Sequence, residues 1–202
     1  RYQKINNLSF EKEDVIITPG AKSAIFLSMI SLLEDGDEVI LFSPNFPAYK
    51  PQLDLLKKEL NIKEIPFSDN FTFVLNYLEK QCSSRTKLLI LNSPHNPTGK
   101  IFSIDELKFI RDLSLKYDFY VISDEVYDRL ILPGQDCHSI ASLDGMIDRT
   151  FVVNSFSKTL FITGWRIGYV ATKSNYINNI IEYQKNINTN TSTFIQKAVS
   201  DY

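Results

Sequence analysis

Lys87-Leu88-Leu89-Ile90-Leu91, the polar turn Asn92-Ser93-Pro94-His95-Asn96-Pro97-Thr98-Gly99, a segment from Ser103 to Tyr117, and Phe119-Tyr120-Val121-Ile122-Ser123 follow one another in the middle of the chain. The first and last are short runs of almost unbroken apolar residues, as expected of strands buried on both faces. Ser103 and Glu106 have the spacing of a capping box and open a helix between them. Strand, helix and strand with short connections make a unit whose two strands lie parallel. Working upstream, Asp14-Val15-Ile16-Ile17-Thr18 reads as a strand ended by Pro19-Gly20. Ala21 to Leu33 reads as a helix with Ala24, Ile25, Met29 and Leu32 or Leu33 on one face. Strand Glu38 to Phe42, a helix from Pro47 to Leu60 and strand Ile62 to Pro66 come next. Downstream lie strands Thr150 to Asn154 and Ile167 to Thr172, with Leu132 to Gly145 the longest expected loop. The expected fold class is α/β, a mainly parallel sheet with helices on both faces.

The whole chain bounds the function. Its 202 residues are 44% hydrophobic and 23% charged, which is globular composition with a real core. A net charge of -2 argues against nucleic acid as a partner, and no apolar run approaches the ~20 residues that span a bilayer. Cys82 and Cys137 are isolated, as are His95 and His138, so neither a disulfide framework nor a metal site is indicated. A reducing cytoplasm is the expected location. The chain opens at Arg1 without a methionine and closes at Asp201-Tyr202 just after the helix-like Phe194 to Val199, and so reads as an internal segment of a longer protein.

In an open α/β sheet the ligand site lies beyond the carboxyl ends of the strands. The unusual residues fall there: Gly20 after the first strand, Phe46 after the second, Asn96, Asp124 and Lys158 after later ones. Lys158 sits in Ser155-Phe156-Ser157-Lys158-Thr159-Leu160-Phe161-Ile162-Thr163-Gly164-Trp165-Arg166-Ile167-Gly168. A lysine amine forms imines with carbonyl compounds, and an arginine fork grips phosphate through paired charged hydrogen bonds. Pyridoxal 5'-phosphate (PLP) carries both an aldehyde and a phosphate. The helix start at Gly20-Ala21-Lys22 offers unpaired amides to the same phosphate, and Ser155 and Ser157 offer hydroxyls. Asp124, at a buried strand end, suits a protonated pyridine nitrogen. Asn96 and Tyr127 suit the ring oxygen, and Phe46 a flat ring face. Each has an ordinary alternative: a helix start, a capping aspartate, a turn asparagine, core aromatics. His95 reads as structural.

In this order, Ile17-Thr18-Pro19-Gly20, Asn96-Pro97-Thr98-Gly99, Ser123-Asp124-Glu125-Val126-Tyr127 and Gly164-Trp165-Arg166-Ile167-Gly168-Tyr169 resemble the PLP-dependent class I/II aminotransferases of fold type I, the aspartate and aromatic subgroup in particular. The resemblance covers nearly the whole chain and implies that residues 1–202 are most of the PLP-binding large domain. It implies Lys158 as the internal aldimine lysine, Asp124 as the pyridine partner, and Asn96 and Tyr127 on the ring oxygen. Phe46 would stack on the ring, and Ala21, Lys22, Ser155 and Arg166 would hold the phosphate. Two positions depart from the pattern: Phe46 stands where many relatives carry tryptophan or tyrosine, and Phe161 where relatives carry a small residue.

The resemblance further implies transfer of an amino group between an amino acid and a 2-keto acid, and a homodimer for the intact protein. Relatives bind the substrate carboxylate from a smaller C-terminal domain and close the site with an N-terminal segment. Residues 1–202 correspond to neither, so the chain alone is expected to transaminate poorly or not at all. A PLP lyase or synthase, such as an aminocyclopropane-carboxylate synthase-like enzyme, begins with the same carbanion chemistry and is the rival enzyme reading. A ligand-sensing domain of a transcription regulator is a third.

Overall fold

The computed structural model describes residues 8–68 and 75–201; the chain ends Arg1 and Tyr202 lie outside them. Seven strands form one sheet: β1 Val15–Thr18, β2 Glu38–Ser43, β3 Asn61–Pro66, β4 Thr86–Asn92, β5 Tyr120–Asp124, β6 Thr150–Ser155 and β7 Gly168–Ala171. Their order across the sheet is β1-β7-β6-β5-β4-β2-β3. The five strands from β3 to β6 are mutually parallel, and β7 runs antiparallel to both β6 and β1. The chain steps outward from β2 to β3 and then returns to β4 on the other side of β2. That reversal opens a crevice at the carboxyl ends of the parallel strands.

Alternation along the strands sends side chains to the two faces of the sheet. Val39, Leu41, Leu88, Ile90 and Ile122 pack on one face with helices α1 Ala21–Leu32, α2 Tyr49–Leu55 and α6 Ile177–Asn188. Ile40, Phe42, Leu89, Leu91 and Val121 pack on the other with α3 Leu75–Gln81 and α4 Ile104–Tyr117. Between them in sequence, α5 Phe156–Thr159 is a single turn after β6, and α7 Thr193–Asp201 ends the described chain. The arrangement is therefore a three-layer α/β fold with helices on both faces, as the sequence predicts. The predicted capping box is present: the Glu106 amide donates to Ser103 Oγ at 3.2 Å, and the Ser103 amide to Glu106 Oε2 at 2.8 Å. Leu107, Ile110 and Leu113 then form the buried stripe of α4. Burial of one such side chain stabilises the fold by about 1.5–3 kcal/mol.

Four expectations change. The helix expected from Pro47 to Leu60 spans only Tyr49–Leu55, because Lys57 adopts a positive φ of 56° and the chain must turn to bring Asn61 beside Glu38. Helix α1 is buried on nearly every side, not one; its Ser28 and Ser31 hydroxyls donate to the Ala24 and Leu27 carbonyls. Within the expected loop Leu132 to Gly145, Ile140–Ser142 forms a 3-10 turn with Ile140 and Ala141 buried. Helices α3 and α6 have no counterpart among the expected elements.

Strand β7 returns to the carboxyl edge through Gly168, which pairs with both Thr18 and Ser155. A Cβ on Gly168 would lie 2.7 Å from the Asn154 carbonyl oxygen and 2.8 Å from the Ala21 nitrogen, both backbone atoms. Gly168→Ala is expected to destabilise the protein by about 1–3 kcal/mol through overpacking. Gly164→Ala, with nothing within 4 Å of its added carbon, is expected to stay within about 0.5 kcal/mol of the parent. Urea unfolding midpoints of the two variants check this; equal midpoints would show that the close approach at Gly168 is unimportant.

Candidate active site

The carboxyl ends of β1, β2, β4, β5 and β6 surround a cavity of about 480 Å³. Its lining includes Ala21, Lys22, Phe46, Asn96, Asp124, Tyr127, Ser155, Ser157, Lys158 and Arg166. Ten of the eleven residues singled out from the sequence thus meet at one site. The eleventh, Gly20, lies just behind it.

One end of the cavity is built for an anion. Gly20 caps α1 with a φ of 86°, so the first amides of that helix face outward without intrahelical partners. The positive φ favours glycine at position 20, and a Cβ there would fall 2.4 Å from Arg166 Nη2, so any larger residue would displace that guanidinium. Arg166, itself at φ 53°, is oriented by donating from Nη1 to the Thr163 carbonyl at 2.9 Å and from Nη2 to the Pro19 carbonyl at 3.3 Å. Ser157 Oγ is buried and has no hydrogen-bond partner among the described residues. Ser157, Arg166 and the start of α1 line the same cavity, and donors of these kinds suit an anion. Ser155 serves differently. Its hydroxyl donates to the Ile167 carbonyl at 3.0 Å and accepts from the Ser157 amide at 3.1 Å, so it shapes the turn and has no proton left for a ligand.

The opposite wall carries Asp124. It is 5% exposed, with Oδ2 accepting from the Tyr49 hydroxyl at 2.6 Å and Oδ1, among the described residues, reached only by the Val126 amide at 3.4 Å. Burial pushes its carboxyl up to about 6, against the lowering effect of Tyr49. Asn92 and Ser93 hold its backbone, donating to the Asp124 carbonyl at 2.9 and 3.1 Å. Asn92 Oδ1 also accepts the Asn96 amide at 2.7 Å, tying the turn after β4 to β5. Asn96 Nδ2 in turn donates to the Tyr127 hydroxyl at 3.2 Å, so these two polar groups meet on the cavity wall.

Lys158 projects from α5, its Nζ 5.9 Å from the Tyr127 ring centre. Lys22, of interest in sequence chiefly for its amide, places its Nζ 5.5 Å over the Phe46 ring. Phe161, at φ 57°, stands 84% exposed, so its bulk is turned outward from the core. His95 lies outside the lining; its Nδ1 pairs with Thr98 Oγ1 at 2.8 Å and its ring meets Phe67 edge-on at 4.9 Å. Burial, aided by Lys100, pushes it down to about 4, which keeps it neutral near pH 7. Burial likewise raises Cys82 to about 11 and Cys137 to about 12, so neither thiol is a ready nucleophile. Sequence reasoning missed Asn92, Thr163 and Tyr49. The last sits three residues beyond Phe46, one turn along, and that spacing is the signal that could have found it.

Known proteins share this sequence pattern and fold. The family profile for aminotransferase class I and II matches residues 1–202. An aspartate aminotransferase of Pyrococcus abyssi is 38% identical over 203 residues, covering 99% of this chain and 52% of that protein. An aromatic-amino-acid aminotransferase of Thermococcus litoralis is 34% identical, covering 99% and 52%. The crystal structure of an aromatic aminotransferase from Pyrococcus horikoshii superposes with a TM-score of 0.93 at 38% identity, covering 98% of this chain and 53% of that one. This chain belongs to the class I and II aminotransferases, with the fold type I architecture of that family. It spans about half the length of the curated relatives it matches.

The buried carboxylate has a pH signature. Its pKa rises from 3.8 to about 6 on folding, so the native state holds the proton more tightly than the unfolded chain. The stabilising effect is full below pH 4 and is lost as pH rises through 6. The change corresponds to about 3 kcal/mol between the two limits. Asp124→Asn, which keeps an acceptor for Tyr49, is therefore expected to stabilise the cofactor-free protein at pH 8 and to change little at pH 4. Denaturant unfolding at the two pH values measures this, and an equal effect at both would contradict it.

Proposed function

We propose that residues 1–202 form most of the cofactor-binding domain of a PLP-dependent aminotransferase, which in the whole protein moves an amino group between an amino acid and a 2-keto acid. The observation that carries the reading is that Lys158, Asp124 and the anion cradle of Ser157, Arg166 and the α1 N-terminus line one cavity. The residues present fit the cofactor: a buried hydroxyl without a partner lies at one end and a buried carboxylate with one nearly free oxygen at the other. When bound, PLP supplies an aldehyde for an amine and a ring that accepts electrons from the substrate carbon.

Each residue then has a definite task. Lys158 Nζ would be the amine that holds the cofactor and would also serve as the base and acid that moves a proton at the substrate carbon. Asp124 Oδ1 would face the ring nitrogen, where an N–H partner offsets the cost of burying the carboxylate. Asn96 and Tyr127 would hold the ring oxygen, and Phe46 would cover a ring face at a gain of about 0.5–1.5 kcal/mol beyond burial. The amides of Ala21 and Lys22, Ser157 Oγ and the Arg166 fork would hold the phosphate. The substrate's carboxylate anchor and the closing segment belong, in this reading, to a C-terminal small domain and an N-terminal segment outside residues 1–202. The half-length match to relatives supports that division. A homodimer is part of the proposal, and the exposed apolar Phe161 and Trp165 beside Lys158 give a second copy a surface to cover.

Two tests follow from the proposal. PLP added to the protein is expected to produce a visible absorption band that Lys158→Ala lacks, and Arg166→Ala is expected to weaken PLP binding about tenfold or more. A band unchanged in Lys158→Ala would refute the assignment. In the full-length protein, keto-acid formation from an amino acid should require a keto-acid acceptor. Product without an acceptor would instead favour the lyase reading, and robust turnover by residues 1–202 alone would overturn the proposed division of labour.

A further inference from the structure

We propose that Tyr49 is a positioning residue of this site: its hydroxyl holds Oδ2 of Asp124 and thereby presents Oδ1 to the pyridine nitrogen. The inference rests on the PLP reading above and adds to it a residue that does not line the cavity. The bond is short, 2.6 Å, and joins two buried groups 75 positions apart, so it is a tertiary contact between α2 and β5. Among the described residues it is the only bond that another side chain makes to the Asp124 carboxylate; the other is the longer one from the Val126 amide to Oδ1, at 3.4 Å. A carboxylate with one oxygen committed and the other nearly free has a defined direction. One with both free would rotate, or take up a proton in this dry environment.

The donor is reliable. Burial and the neighbouring Asp124 both hold the Tyr49 hydroxyl well above its ordinary pKa, so it keeps its proton. Its ring is fixed as well, meeting Phe46 edge-on at 5.6 Å, while its amide donates to the Phe46 carbonyl at 3.1 Å. One turn of chain thus carries both the cover for the cofactor ring and the anchor for the carboxylate beneath it. The other charged or titratable groups of the cavity are Lys22, Tyr127, Lys158 and Arg166. Glu125, the next residue, is committed elsewhere, accepting from the Ser123 and Ser139 hydroxyls at 2.7 and 2.6 Å.

Tyr49→Phe tests this because it removes one oxygen and keeps the ring that packs on Phe46. In the full-length, cofactor-free protein with 13C-labelled aspartate carboxyls, the Asp124 signal is identified by its loss in Asp124→Asn. Its titration midpoint is expected to rise by about one pH unit in Tyr49→Phe, because the donor that favours the ionised form is gone. PLP affinity is expected to fall about tenfold. Replacing Tyr49 by 4-aminophenylalanine, which returns an N–H to the same place, should recover part of both effects, as a purely structural role would not. PLP uptake by the parent with an unmoved midpoint and unchanged affinity in Tyr49→Phe overturns this inference alone. A parent that does not take up PLP overturns it together with the functional reading.

Discussion

A carboxylate buried at the carboxyl end of β5 is the constraint around which the site is organised. Asp124 sits in the parallel block of the sheet, 5% exposed, and burial raises its pKa to about 6. Near neutral pH the fold therefore keeps a charge where charge is costly. Tyr49 offsets part of that cost, and Asn92 and Ser93 fix the backbone that carries it. What these groups leave is one oxygen with little to bind. A ligand with an N–H at that point would satisfy that oxygen, and in this sense stability has been given up for binding.

The opposite end of the cavity solves the complementary problem. Antiparallel β7 enters the sheet at the edge where the parallel strands end, and Gly168 lets its backbone come within contact of Ala21 and Asn154. That close approach carries Arg166 against Gly20 at the start of α1. Positive groups are thereby gathered about 150 residues apart in sequence but adjacent in space, next to Ser157. The parallel block positions the carboxylate and the lysine; the reversed strand positions the anion cradle.

Much of this was legible in the sequence because buried strands announce themselves. Val39 to Phe42, Leu88 to Leu91 and Val121 to Ile122 are apolar on both faces, which only a sheet covered on both sides explains. Residues at the ends of such strands must converge, so the cavity lining followed from topology before any contact was known. Other features had no local signal. Between β6 and β7 there is only the single turn of α5 and a 3-10 turn at Thr163–Trp165, too little for a crossover, and the chain returns antiparallel. Helix α2 stops at Leu55 because β3 must pair with β2, a demand made from outside the helix. Ser155 and Ser157 look alike in sequence, and only their surroundings separate the hydroxyl bound to Ile167 from the one left open. Tyr49 reads as one of 10 tyrosines until its partner across the fold is seen.

The proposal stands or falls on Lys158, rather than the other lysine of the cavity, Lys22, being the amine that takes up an aldehyde. The direct measurement is borohydride reduction of the PLP-treated protein followed by peptide mapping by mass spectrometry. One pyridoxyl group per chain is expected, on the peptide containing Lys158. Label spread over exposed lysines such as Lys12 and Lys197, with Lys158 unmodified, would contradict it.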